Sequence, residues 1–314
     1  MIFTDNDPMR PIIQEIVSDI TSVLLDKENE VQLVICCLLA RGHLLIEDHP
    51  GVGKTTLVQC LAKVLDLASS RIQFTSDLLP ADIVGNSIYD TLSQSFRFHQ
   101  GPLFASLVLG DELNRANPKT QSALLQALEE GDVTVDGKTY HLPHPFFFIG
   151  TQNPRQQTGT FPLPESQLDR FLMSLRLNFA SRDTEIKIIQ GQDPRQKLQN
   201  LRFRLTSADI LAFQKQVDEI HISQKLAAYI AGYLDWSRLP QFKGSPLSVR
   251  AGMALARAAR SWAWMHEMSF VIPEDIKHLA PYILGHRIFP DQGIVDGHHV
   301  IQSIANEKAV IDAS

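Results

Sequence analysis

The sequence predicts an α/β protein, in which a parallel sheet flanked by helices is built around a Gly-rich loop and is followed by a smaller all-helical region. Three observations predict it. Short apolar runs alternate with amphipathic helical segments to about residue 190, the pattern of a parallel sheet with crossover helices. A Gly-rich segment ending in Lys54-Thr55-Thr56 lies between one such run and a helix. Beyond Ser207 only helical spacing remains.

The elements follow in order. Ile12, Ile13, Ile16, Val17, Ile20, Val23 and Leu24 recur at helical spacing over 11–25. A second helix runs from about Asn29 and stops at Arg41-Gly42. A strand over 43–47 precedes a helix over 55–65 and a strand over 71–75. Phe96 and Phe98 alternate with polar residues, which predicts a hairpin within 86–100. A buried strand covers 107–111, and a helix over 118–130 begins with Pro118 in its first turn. Val133, Val135 and Tyr140 around Asp136-Gly137 predict a second hairpin. Apolar strands cover 146–151 and 171–177. The polar stretch from Asp193 to Lys197 marks a boundary, giving domains of 1–192 and 193–314. Helices follow over 207–219, 223–238, 248–266 and 273–285, the last opened by Pro273-Glu274-Asp275.

Composition excludes several function classes. The net charge of -6 carries no basic stripe, so no nucleic-acid partner is expected. The longest apolar run, Val31 to Ala40, falls short of the roughly 20 residues that span a bilayer, so no membrane insertion is expected. Cys36, Cys37 and Cys60 form neither a disulfide framework nor a zinc pattern, which fits a reduced, cytoplasmic protein.

The chemistry centres on Glu47-Asp48-His49-Pro50-Gly51-Val52-Gly53-Lys54-Thr55-Thr56. Glycines let backbone N–H groups turn inward around phosphate oxygens, and the following helix adds its positive end. Residues His49 to Thr56 are therefore the expected nucleotide-binding loop, with Lys54 reaching the β and γ phosphates and the Thr55 hydroxyl on magnesium. The strict pattern has glycine where this chain has Asp48. Downstream, Leu107-Val108-Leu109-Gly110 is an apolar strand that ends in Asp111-Glu112. Asp111 is placed to hold magnesium and Glu112 to polarise an attacking water. That second acid argues against a small-molecule kinase. Asn153, at the end of another strand, reads on spacing either as a turn residue before Pro154 or as an amide on the lytic water. Arg170 reads on spacing as a surface ion pair with Asp169 or Glu165, or as an arginine finger.

These segments, in this order, resemble the AAA+ ATPases, and more closely the MoxR family. The stretches Phe74 to Gly85, Phe98 to Phe104, Asp111 to Leu125, Thr151 to Pro154, Leu163 to Phe171 and Val271 to Lys277 carry the similarity, which covers roughly 11–290. The resemblance implies an AAA+ core with a helical lid that binds ATP and Mg2+. It makes Asn153 the sensor 1 residue and Arg170 an arginine finger acting on a neighbouring subunit. It makes Arg250 the sensor 2 residue, reaching the γ-phosphate of its own subunit, although Val249 stands where the family has proline. It implies a homo-oligomeric, hexameric ring that hydrolyses ATP to remodel or mature a protein client, with a von Willebrand factor A domain protein as partner. The hairpins fall where related ATPases carry pore-facing inserts. A different class of function, an ATP-dependent assembly scaffold with negligible turnover, stays open at this point.

Overall fold

The computed structural model of the chain describes residues 9–92, 94–152, 161, 163–191, 193–240, 242, 244–288 and 297–304. The chain starts with α1 (Pro11–Thr21), α2 (Glu28–Leu39), β1 (Leu44–Glu47), α3 (Lys54–Val64) and β2 (Ser69–Gln73). Next come α4 (Pro80–Val84), β3 (Gly85–Asp90), β4 (Ser95–Gln100) and β5 (Leu107–Asp111). They are followed by α5 (Pro118–Glu130), β6 (Asp132–Val135), β7 (Lys138–His141) and β8 (Phe147–Gln152). Then come α6 (Glu165–Leu168), β9 (Met173–Leu175) and α7 (Arg182–Ile189). The remainder is helical: α8 (Ser207–Asp218), α9 (Gln224–Ser237), α10 (Val249–Met265), α11 (Pro273–Ile288) and a final helix over 297–304.

Five strands form one sheet in the order β2-β5-β8-β1-β9, and every pairing in it is parallel. The inner strands β5, β8 and β1 are buried along their whole length. Helices cover both faces, so these strands read as continuous apolar runs rather than alternations. The two-residue period still sorts their side chains. Leu44, Ile46, Leu107, Leu109, Phe147 and Ile149 join the core on one face. Leu45, Val108 and Phe148 join the core on the other. Gly110 is required where β5 passes the Phe148 ring: a Cβ there would lie 2.4 Å from Phe148 Cζ.

The first core contains α1, α2 and α3 and continues without a break into α8, α10 and α11. Polar bonds reinforce that junction. Ser261 Oγ donates to the Cys36 carbonyl at 2.9 Å, and Gln214 Nε2 donates to the Leu38 carbonyl at 2.8 Å. Arg10 donates to the Trp264 carbonyl at 2.7 Å and lies over its indole. All three cysteines are free and buried. The two expected hairpins are present as β3–β4 and β6–β7, both antiparallel. Side-chain caps set the helix starts: Asn117 accepts from Thr120 N–H on α5, and Ser248 accepts from Ala251 N–H on α10.

Several elements depart from expectation. Strand β2 sits two residues earlier than 71–75, because its pairing with β5 sets Gln73 opposite Asp111. The helices α4, α6 and α7 and the final helix over 297–304 were not expected, and each is short. Among the described residues, no helix is long and apolar enough to cross a membrane.

Candidate active site

The loop between β1 and α3 has Gly51 at φ 88° and Gly53 at φ 101°. Both lie in the left-handed region that a side chain disfavours. Gly53 has a second constraint, since a Cβ there would lie 2.7 Å from Leu24 Cδ1. Helix α3 begins at Lys54, so its free N–H groups and positive end face the loop. Lys54 Nζ donates to the carbonyls of Asp48 (2.9 Å) and His49 (3.1 Å). Burial lowers its pKa, and the carboxylates of Asp48, Asp111 and Glu112 oppose that shift.

Asp48 has a structural explanation. Its Oδ2 accepts the backbone N–H groups of Leu177 and Asn178, both at 2.7 Å. Its Oδ1 accepts from His49 N–H at 2.8 Å. The carboxylate is buried and ties the start of the loop to the segment after β9.

A cavity of about 670 Å³ opens over the loop, within the range of small-molecule sites. Pro50 through Thr56 line it, as do Asp111 and Glu112; His49 instead stacks on Phe179 with ring centroids 6.0 Å apart. Part of the lining is apolar, formed by Val23, Leu24, Leu25, Phe179, Ala180 and Ile188, and suits a nucleobase. The buried Lys27 braces that part by donating to the Phe179 carbonyl at 3.0 Å. Asp26 accepts from Ser181 N–H at 3.0 Å, and the Ser181 hydrogen bonds hold the Asp26 carboxyl below its ordinary pKa.

The acids sit at the phosphate end. Asp111 Oδ1 accepts from Thr151 Oγ1 at 3.2 Å. Asp111 Oδ2 accepts from Arg71 Nε at 2.8 Å and lies 2.7 Å from Arg71 Nη2. Glu112 adopts φ 58°, ψ 46°, and its backbone N–H donates to Thr151 Oγ1 at 3.0 Å. Glu112 Oε2 accepts from Gln73 Nε2 at 2.9 Å and lies 3.2 Å from Arg115 Nε. Arg71, Gln73 and Thr151, all lining the cavity, were missed as site residues. A signal existed for two of them. Positions 71 and 73 alternate onto one face of a strand that pairs with the strand ending in Asp111.

Among the described residues no cluster of three or more His, Cys, Asp or Glu could hold a metal ion. Magnesium at a nucleotide needs less, because one or two protein oxygens suffice when phosphates and waters complete its shell. Thr55 and Asp111, a hydroxyl and a carboxylate lining one cavity, form a donor set of that kind.

Two expected residues lie elsewhere. Arg170 Nε donates to Glu129 Oε2 at 2.8 Å, and Arg250 Nη2 donates to Glu129 Oε1 at 2.7 Å. Neither arginine lines the cavity. Arg170 thus pairs with neither Asp169 nor Glu165; Asp169 is taken by Arg287 at 2.7 Å. Arg250 does not make the expected approach to the phosphate loop of its own chain. The cap at Ser248 and the packing of α10 aim it at α5 instead. The two hydrogen bonds hold the Glu129 carboxyl below its ordinary pKa. Asn153 lies outside the described residues.

Comparison with known proteins agrees with this architecture. Residues 43–173 match the ATPase family associated with various cellular activities, and residues 246–304 match the AAA lid domain. An uncharacterised protein of Bacillus subtilis, YeaC, is 41% identical over 90% of this chain and 88% of its own length. Chaperone MoxR1 of Mycobacterium tuberculosis is 34% identical over 88% of this chain and 75% of its own. A crystal structure from Cytophaga hutchinsonii superposes with a TM-score of 0.83 at 33% identity, covering 94% of this chain and 93% of that one. The phosphate loop, the strand-end acids and the helical lid occur in one chain with relatives of this kind, and the protein belongs to the MoxR family of AAA+ ATPases.

Proposed function

We propose that the protein hydrolyses ATP with Mg2+ as a subunit of a homo-oligomeric, hexameric ring, and that turnover remodels or matures a protein client. One observation carries the catalytic part: Lys54, Asp111 and Glu112 converge on a single cavity at the N-terminus of α3. The loop N–H groups and Lys54 bind the β and γ phosphates and offset their charge. Magnesium, held by Thr55 and Asp111, supplies further charge neutralisation on the phosphate oxygens. Glu112 accepts a proton from the attacking water, whose oxygen bonds to the γ-phosphorus as the bond to the β-phosphate bridging oxygen breaks. Asn153 orients that water.

Arg170 and Arg250 serve the active site of a neighbouring subunit. Their shared anchor on Glu129, away from the cavity of their own chain, supports that reading. A chaperone role is supported by the name of the relative MoxR1, and a von Willebrand factor A domain partner by the family resemblance. The cytoplasmic setting is supported by three free, buried thiols. The division at residues 192 and 193 is supported by the change from mixed elements to helices alone.

One observation favours the scaffold reading: Gln73 and Arg115 both occupy Glu112 Oε2. Phosphate release separates the two. Purified wild type and Glu112→Gln are compared with ATP and Mg2+ over a range of protein concentrations. Turnover per subunit should rise with concentration and fall about a hundredfold or more in the variant. Turnover that is absent in the wild type, or unaffected by Glu112→Gln, overturns the motor.

A further inference from the structure

Asp111 is the acid proposed above to meet magnesium, yet its oxygens already have protein partners. Thr151 Oγ1 takes Oδ1 at 3.2 Å. Arg71 brings Nε and Nη2 to Oδ2 at 2.8 and 2.7 Å. Two N–H groups on one carboxylate oxygen use the in-plane lone-pair directions a metal ion also needs. The Arg71 guanidinium is always charged, and no neighbouring acid is as near in the described structure. Its own side chain is 55% exposed while that of Asp111 is 10% exposed, so Arg71 can swing into the cavity at small cost and Asp111 cannot follow.

We propose that Arg71 is a resident counter-ion for Asp111 that competes with magnesium for the same carboxylate oxygen. Magnesium entry then requires Arg71 to leave Oδ2, which sets the metal concentration at which the site loads. Arg71 thereby acts through Asp111, as a positioning residue. A fixed phosphate contact made by Arg71 would behave differently, because its loss weakens nucleotide binding with and without metal alike.

This inference rests on the nucleotide-site reading, and the test separates the two. Affinity for a fluorescent ATP analogue is measured in EDTA and across a magnesium titration, for wild type, Arg71→Ala, Arg71→Gln and Asp111→Asn. The quantity of interest is the factor by which magnesium tightens binding. Removing the competing charge in Arg71→Ala should raise that factor about fivefold to tenfold and lower the half-saturating magnesium concentration. Arg71→Gln keeps a hydrogen-bond donor without the charge and should behave alike. Asp111→Asn should remove the factor. Thermal melts in EDTA identify a variant that is merely unfolded, and the glutamine variant then carries the test. An unchanged or smaller factor in folded Arg71→Ala or Arg71→Gln overturns the competition while leaving the nucleotide site standing. Absence of nucleotide binding by the wild type overturns both.

Discussion

Replacing Asp48 by glycine restores the strict phosphate-loop pattern, and on pattern alone it should be harmless. The structure predicts the opposite. The Asp48 carboxylate accepts three backbone N–H groups, two of them from Leu177 and Asn178 on the far side of β9. Leu177 is fully buried, so its N–H has no water to turn to. Leaving a buried donor unpaired costs about 1–3 kcal/mol, and the more exposed donors at Asn178 and His49 cost less. The added backbone freedom of glycine costs about 0.5–1 kcal/mol more. The expected loss is about 4 kcal/mol, which for 314 residues lowers the melting temperature by about 6 °C. Nucleotide affinity should fall as well, because the carboxylate that ties the start of the loop to the segment after β9 is gone. Asp48→Asn keeps an acceptor oxygen and should lose about half as much. Urea unfolding, followed by the fluorescence of Trp236, Trp262 and Trp264, and ATP titration measure both effects. If Asp48→Gly unfolds within about 0.5 kcal/mol of wild type and binds ATP as tightly, Asp48 is no clamp and the reasoning fails.

Further predictions concern other groups. Glu129→Ala removes the shared anchor of Arg170 and Arg250, leaving two guanidinium groups to repel each other. The ion pairs are partly exposed, so stability should change by less than about 1 kcal/mol. Turnover at concentrations that favour assembly should nevertheless fall about tenfold while ATP affinity holds, and unchanged turnover would sink the inter-subunit reading. His43 accepts from Phe148 N–H at Nδ1 and donates to the Leu128 carbonyl from Nε2, which requires the neutral ring. Burial pushes its pKa down to about 4, so the folded state disfavours the proton that the unfolded chain takes up below about 6.5. Its contribution is complete above pH 6.5 and is lost as pH falls toward 4, about 2 kcal/mol being gone at pH 5. Asp275, pushed up to about 7 by burial, has the opposite slope. The test is therefore differential: from pH 7.5 to pH 5, His43→Gln should lose about 2 kcal/mol less stability than wild type in urea titrations, and parallel profiles would contradict it.

The order of strands and helices was legible because each large element carries its own periodicity. The runs at 44–47, 107–111 and 147–152 are apolar on both faces and so mark central strands wherever the chain places them. The phosphate loop was legible for a similar local reason, since Gly51 and Gly53 hold backbone angles that few other residues adopt. The acids at 111 and 112 gained meaning from their position after an apolar strand. The short helices α4 and α7 were illegible, because few of their side chains are buried and their stability comes from what they rest on. Strand β2 slipped by two residues for a related reason, as an edge strand with a single buried position, Ile72, carries little register information.

By itself the sequence determined the fold class, the phosphate loop and the strand-end acids, because these depend on residues close together in the chain and on backbone conformations that only certain residues permit. Tertiary structure alone decided the partners of Asp48, Asp111, Arg170 and Arg250. Asp48 meets Leu177 and Asn178 because β1 pairs with β9. Arg71 meets Asp111 because β2 pairs with β5. Arg170 and Arg250 share Glu129 because the segment before β9 and the first turn of α10 both reach the end of α5. Such contacts join residues from about 40 to more than 120 positions apart, and no local pattern encodes which of several exposed or buried charges a side chain will find when the layers close.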